Sequence, residues 1–154
     1  MTTIPAHLSG IRLSIGATRD GWYSIDNRGG NGADCLWDLE QYPWPLPDEC
    51  AIEAWAGHAV NRINPARFGM ILFFNEVWRI LKPGGELTVI SYYGMNQGYV
   101  GDPCAVNSIT ESVFFHFDPE HRSNLWLRYQ PAPWRLVSLT WTNDSNIEAC
   151  LAKR

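Results

Sequence analysis

Apolar positions repeat at three and four residues through Phe68, Ile71, Leu72, Val77, Trp78 and Leu81, a spacing that predicts one amphipathic helix. Pro83 cannot continue that helix, and Gly84-Gly85 can take the positive φ that reverses a chain. Leu87-Thr-Val-Ile90 follows, mostly apolar and β-branched, and reads as a buried strand. A helix, a Gly-Gly turn and a buried strand form the second half of a βαβ unit. They predict an α/β fold with an at least partly parallel sheet.

Upstream, Ile11-Arg-Leu-Ser-Ile15 alternates apolar and polar residues and stops at Gly16, a first strand ending in a glycine turn. Only a few residues separate Ala17 from Trp22-Tyr-Ser-Ile-Asp26, the second strand, so a full helix does not fit between them. Asn27 to Gly32 is a glycine- and asparagine-rich loop, and Ala33 to Trp37 predicts a short third strand. Tyr42-Pro-Trp-Pro-Leu-Pro47 must be extended or turning and reads as a packed linker. Ala51 to Ala56 is the predicted fourth strand, and it delivers Gly57-His58 to the carboxyl edge of the sheet.

Downstream, Tyr92-Tyr93 lead into a glycine-rich loop, Gly94 to Gly101, and then Asp102-Pro103. Ile109 to His116 predicts a short helix with Thr110 as its cap and Glu111 in its first turn. Three strand-like runs finish the chain: Leu125 to Tyr129, Leu136 to Trp141 and Ile147 to Leu151. Asn143-Asp-Ser-Asn146 turns the second of these into the third, so the last two form an antiparallel hairpin. Residues Met1 to Gly10 are expected to be an N-terminal arm, and residues 11–154 a single domain.

Composition narrows the function. A chain of 154 residues can bury roughly two thirds of its unfolded surface and needs no metal or disulfide to fold. The net charge of -4 lacks the basic footprint of a protein that grips nucleic acid. Cys35, Cys50, Cys104 and Cys150 form no CxxC pair and sit at no zinc-ligand spacing, so free thiols and no metal are expected. No apolar run has the length of a membrane span and no signal peptide opens the chain, so a cytoplasmic location is expected. Eight Trp in this length serve either the core or an aromatic-lined surface for a ligand, a partner protein or a second copy.

Arg79-Ile-Leu-Lys-Pro-Gly-Gly-Glu-Leu-Thr-Val-Ile90 resembles the segment that leads into the fifth strand of class I S-adenosylmethionine-dependent methyltransferases, most of all a compact branch of that family. The resemblance extends over roughly Ile11 to Leu151. It implies a Rossmann-like, mostly parallel sheet ending in an antiparallel hairpin, with helices on both faces and a reduced first helix. It also implies S-adenosylmethionine as the cofactor. Gly16-Ala17 would be the cofactor loop, Asp26 the acid that accepts from a ribose diol, Asp38-Leu39 the adenine contacts, and Gly57 part of the same site. His58 and Asp102 become the catalytic candidates, and Arg62, Tyr92 and Tyr93 the substrate candidates.

Departures from the family pattern are specific. Thr18 stands where a second glycine is usual, Asn61-Arg62 replaces glutamate-histidine, and Cys104-Ala105 replaces threonine-histidine after Asp102-Pro103. Two functions follow: methyl transfer to a small-molecule or protein acceptor, or a catalytically degenerate methyltransferase-like domain used for binding and assembly. A nicotinamide dehydrogenase is disfavoured because no G-x-G-x-x-G loop opens a helix, and a serine hydrolase because no G-x-S-x-G elbow is present.

Overall fold

A computed structural model describes residues 8–154, so the expected arm lies outside the described residues as far as residue 7. Seven strands form one sheet: β1 (Ile11–Ile15), β2 (Tyr23–Asp26), β3 (Cys35–Leu36), β4 (Ala51–Gly57), β5 (Leu81–Tyr92), β6 (Trp134–Trp141) and β7 (Asn146–Lys153). Their spatial order is β3-β2-β1-β4-β5-β7-β6. The first five are parallel, and β7 runs antiparallel between β5 and β6. The chain winds outward from β1 to β3, then restarts beside β1 with β4. The β1/β4 boundary is therefore a topological switch point, where open α/β sheets form a crevice at their carboxyl edge.

Register explains which face is the core. Leu13 lies opposite Tyr23 and Ala54, Ala54 opposite Leu87, and Leu87 opposite Leu151. Since side chains alternate along a strand, this row and the Ile15–Ile25–Ala56–Val89–Ala149 row share one face. Helix α1 (Gly69–Ile80) buries Phe73, Phe74, Val77 and Ile80 in the same cluster. Phe74 stacks on Phe117 at 4.1 Å and meets Trp134 edge-on at 6.4 Å, which ties α1 to the C-terminal third. The opposite face, with Trp55, Thr88, Ile90 and Cys150, is only half-buried. Helices are thus unevenly shared. On that second face the five-residue α2 (Gln97–Gly101) sits against Tyr92, and Arg19 stacks between Trp22 and Trp55.

Several local expectations change in the folded chain. The Lys-Pro-Gly-Gly segment is a bulge inside β5: Leu81 pairs with Ala51 and Glu86 with Glu53, so residues 82–85 loop out with Gly84 at φ +75°. Leu125 to Tyr129 is a 3-10 helix over Leu125–Arg128, not a strand. The Gln130 N–H donates to the Trp126 carbonyl at 2.8 Å and the Trp126 indole to that of Pro131 at 3.1 Å, closing the segment on itself. Thr110 is the N-cap residue of α3 (Glu111–Phe115), but its hydroxyl meets Ser112 rather than capping the helix. The proline linker is packed as expected. Trp44 is buried, its N–H donates to Glu76 at 2.6 Å, and Arg79 donates to the Trp44 and Leu46 carbonyls.

The eight Trp are divided between core and surface. Trp44 and Trp134 are buried, five others are half-buried, and Trp141 stands exposed. All four cysteines are free thiols. Among the described residues no helix is long and apolar enough to cross a membrane.

Candidate functional site

Gly16 ends β1 at φ +75°, a conformation in which a side chain is strained. A Cβ there would lie 3.0 Å from the Ala59 Cβ, so the turn after β1 is pressed against the turn after β4. Ser14 fixes the next residue by donating its hydroxyl to the Ala17 carbonyl at 2.6 Å. Asp26 ends β2 beside this turn, and its carboxylate is 1% exposed.

That carboxylate is fully engaged. The Arg28 Nε donates to both oxygens at 3.2 Å and Nη2 to Oδ2 at 2.9 Å. The Arg28 backbone N–H donates to Oδ1 at 3.1 Å and Asn31 Nδ2 to Oδ2 at 2.5 Å. Burial alone would raise the Asp26 carboxyl; the Arg28 and Asn31 donors outweigh it and hold it below the usual carboxylate range. Arg28 also donates to the Gly16 carbonyl, bridging the ends of β1 and β2.

The consequence is a closed crevice. Gly16, Asp26, Arg28, Leu39, Ala59 and Arg62 line a cavity of only about 70 Å³. Small-molecule pockets run to roughly 300–1,000 Å³. A ribose diol would need the Asp26 oxygens that Arg28 now holds. The carboxylate and the glycine turn are of the right kind for an S-adenosyl nucleoside, but the nucleoside does not fit while Arg28 lies across them.

The remaining cofactor candidates divide. Leu39 is buried and packs 3.8 Å from the Cβ position of Gly16. Asp38 is exposed, outside the cavity lining, with Oδ1 accepting from the Glu40 N–H at 3.0 Å. Gly57 is also outside the lining; a Cβ there would run into the Trp55 ring. Arg28 and Asn31 were not anticipated. The available signal was a cation and an amide two and five residues beyond a strand-end acid, within folding-back reach.

On the other side of the turn after β4, the structure gathers His58, Arg62, Tyr92 and Asp102. His58 sits at φ +57° with its backbone N–H donating to Ile90 at 2.7 Å. Its ring lies 4.2 Å from that of Tyr92, and Nδ1 is buried without a partner among the described residues. Burial pushes the imidazole pKa down, against the opposing pull of Asn61 and Asp102. Arg62 pairs with Asp102 at 3.0 Å. The Cys104 N–H, then the Arg62 guanidinium, hold the Asp102 carboxyl low in spite of its partial burial. A carboxylate so stabilised is a weak base, whereas neutral His58 can accept a proton.

Tyr93 stands apart. It points to the opposite face from Tyr92, and its hydroxyl donates to Glu111 at 2.9 Å. Asn61, where the family pattern has glutamate, is fully buried and structural. Its Oδ1 accepts from the Tyr92 N–H at 3.1 Å, and its Nδ2 donates to the Asn107 carbonyl at 3.1 Å.

No protein-family model matches the chain. No curated protein matches it in sequence. Solved structures do match along almost its whole length. A S-adenosylmethionine-dependent methyltransferase from Archaeoglobus fulgidus superposes with a TM-score of 0.66 at 12% identity, covering 94% of this chain and 86% of that one. A Haloferax volcanii protein solved in complex with the Trm112 methyltransferase activator gives 0.62 at 11% identity, covering 94% and 83%. The Burkholderia thailandensis 1,6-didemethyltoxoflavin-N1-methyltransferase, with S-adenosylhomocysteine bound, gives 0.60 at 10% identity, covering 94% and 72%. At such identities the likeness establishes architecture, and the strand order β3-β2-β1-β4-β5-β7-β6 agrees with it: the chain has the class I methyltransferase fold.

Proposed function

We propose that this chain is a S-adenosylmethionine-dependent methyltransferase whose nucleoside crevice is latched by Arg28 in the unliganded protein. The observation that carries the reading is a buried carboxylate, Asp26, at the end of β2 beside the positive-φ turn at Gly16, both at the β1/β4 switch point. Arg28 is 54% exposed, so it can turn into solvent and hand the Asp26 oxygens to a ribose diol.

The cofactor would supply a methyl group already activated on a sulfonium, leaving alignment of the acceptor as the main task of the protein. His58, neutral and beside Tyr92, is the group suited to take a proton from an oxygen acceptor. The acceptor is a small molecule or a protein; a net charge of -4 argues against nucleic acid. Four free thiols fit a reducing compartment such as the cytoplasm.

The closed crevice favours a second reading, a methyltransferase-fold protein that has given up the nucleoside and serves in binding or assembly. Calorimetry with S-adenosylmethionine and S-adenosylhomocysteine separates the two. If Arg28 is a latch, Arg28→Ala binds about ten- to a hundredfold more tightly than the natural chain, because the competent state no longer has to be opened. Asp26→Ala then abolishes binding. Folded Arg28→Ala that binds neither ligand at about 5 mM leaves only the second reading.

A further inference from the structure

A second and much larger cavity lies away from the crevice, between the start of α1, the loop before α3, and the 3-10 helix that precedes β6. Its volume is about 540 Å³, within the range of small-molecule sites. The wall between the two is the 61–65 segment: Arg62 and Ile63 face the crevice and Pro65 faces the larger cavity. Asn107 holds that wall by donating its amide to the Val60 carbonyl at 2.8 Å and to that of Ile63.

Phe68, Ile71, Ile109, Val113 and Tyr129 give the cavity an apolar lining. Arg67 stands among them as a cation, and among the described residues it makes no ion pair or hydrogen bond. Arg67 and Phe68 both occupy the left-handed region, at φ 53° and 64°. Two such non-glycine residues in succession are strained, and strain of this kind gathers at binding sites. It leaves the Phe68 ring 63% exposed at the mouth, 6.2 Å from Tyr129 and edge-on to it. His116 supplies the second polar group. Its Nδ1 lies 3.2 Å from the Leu125 carbonyl oxygen, which fixes the ring in the cavity wall.

We propose that this cavity is a binding site for a small carboxylate with an apolar ring or chain, the body packed on Ile71, Ile109 and Val113 and the acid on Arg67. The Arg67 guanidinium offers a carboxylate a two-pronged contact, and the surrounding apolar surface rewards a body that leaves water. The site does not depend on nucleoside binding or methyl transfer.

The test uses the full chain with labelled methyl groups, titrated with 2-naphthoate and with its uncharged counterpart 2-naphthamide. The expected result is saturable shifts confined to Met70, Ile71, Ile109 and Val113. Arg67→Gln should weaken naphthoate by about tenfold or more while leaving naphthamide unchanged. Ser112→Trp, an exposed rim position, should obstruct both, with the amide spectrum checking that each variant is folded. The proposal fails if folded protein shows no shifts at about 5 mM ligand, or if the shifts lie elsewhere. It fails equally if Arg67→Gln weakens the acid and the amide alike.

Discussion

Replacing Arg28 with alanine is the most informative single perturbation, because its cost follows from the asymmetry of the Arg28–Asp26 pair. Arg28 is 54% exposed and Asp26 1% exposed. An exposed ion pair contributes about 0–1 kcal/mol, whereas stripping one partner from a buried pair costs about 3–5 kcal/mol. Arg28→Ala removes the guanidinium but keeps the backbone N–H at position 28 and the Asn31 amide on the carboxylate. An intermediate loss of about 1–2 kcal/mol follows, a drop of about 2–8 °C in midpoint for a chain of this length.

The pH dependence has a definite sign. The Asp26 carboxyl is depressed in the folded protein, so its stabilising contribution is present above the unfolded value and lost as pH falls through the folded one. Thermal unfolding of both proteins should therefore show a constant difference from about pH 7 to about pH 5 that narrows below about pH 4. A difference that fails to narrow below about pH 4, or a variant as stable as the natural chain at neutral pH, refutes the charge-pair account of Arg28.

Three other outcomes are expected. Gly57→Ala should cost about 1–3 kcal/mol by overpacking against the Trp55 ring, and Trp55→Ala in the same chain should recover part of the loss, as a double-mutant cycle by chemical denaturation would measure. The His58 imidazole should titrate below its ordinary value of 6.5 by NMR. Its depressed folded pKa makes stability fall as pH drops through 6.5 toward the folded value, and Tyr92→Leu should move the titration back up by reducing burial. Asn107→Ala should cost about 2 kcal/mol and speed hydrogen exchange around Val106, because the Val60 and Ile63 carbonyls lose their amide donor.

What the sequence made legible was the part controlled by local pattern. The period-two and period-3.6 runs located β1, β2, β4 and α1, and the Asn143–Asn146 turn located the β6–β7 hairpin, because each run carries its own burial signal. Leu125 to Tyr129 misled because alternation over five residues is also compatible with a turn of 3-10 helix. Asn124 in the left-handed region and the Trp126–Pro131 bond decide between them, and neither is a pattern property. The glycines of Lys-Pro-Gly-Gly permit reversal, so the sequence alone reads as a connection. The pairing of Leu81 with Ala51, a non-local contact, is what turns it into a bulge.

The candidate site was legible in position more than in state. Gly16, Asp26, Leu39, His58, Arg62 and Asp102 all reach the carboxyl edge of β1, β2 and β4 or the loops over it, as strand order dictates. Their pairing could not be read from spacing. The exchange of glutamate-histidine for Asn61-Arg62 has a coherent physical result that residue-by-residue comparison misses. Asn61 becomes a buried staple between Tyr92 and Asn107, and Arg62 neutralises Asp102. Arg28 does the same for Asp26. Asp26 and Asp102 are therefore each matched by an internal cation while Asp38 stays exposed, and the imidazole of His58 keeps one nitrogen without a partner among the described residues. A ligand can enter the crevice only by displacing a guanidinium from a carboxylate. That requirement predicts weak, salt-assisted nucleoside binding in the natural chain: added salt should loosen the half-exposed Arg28 pair and raise the affinity, where a pre-opened site would show no such rise.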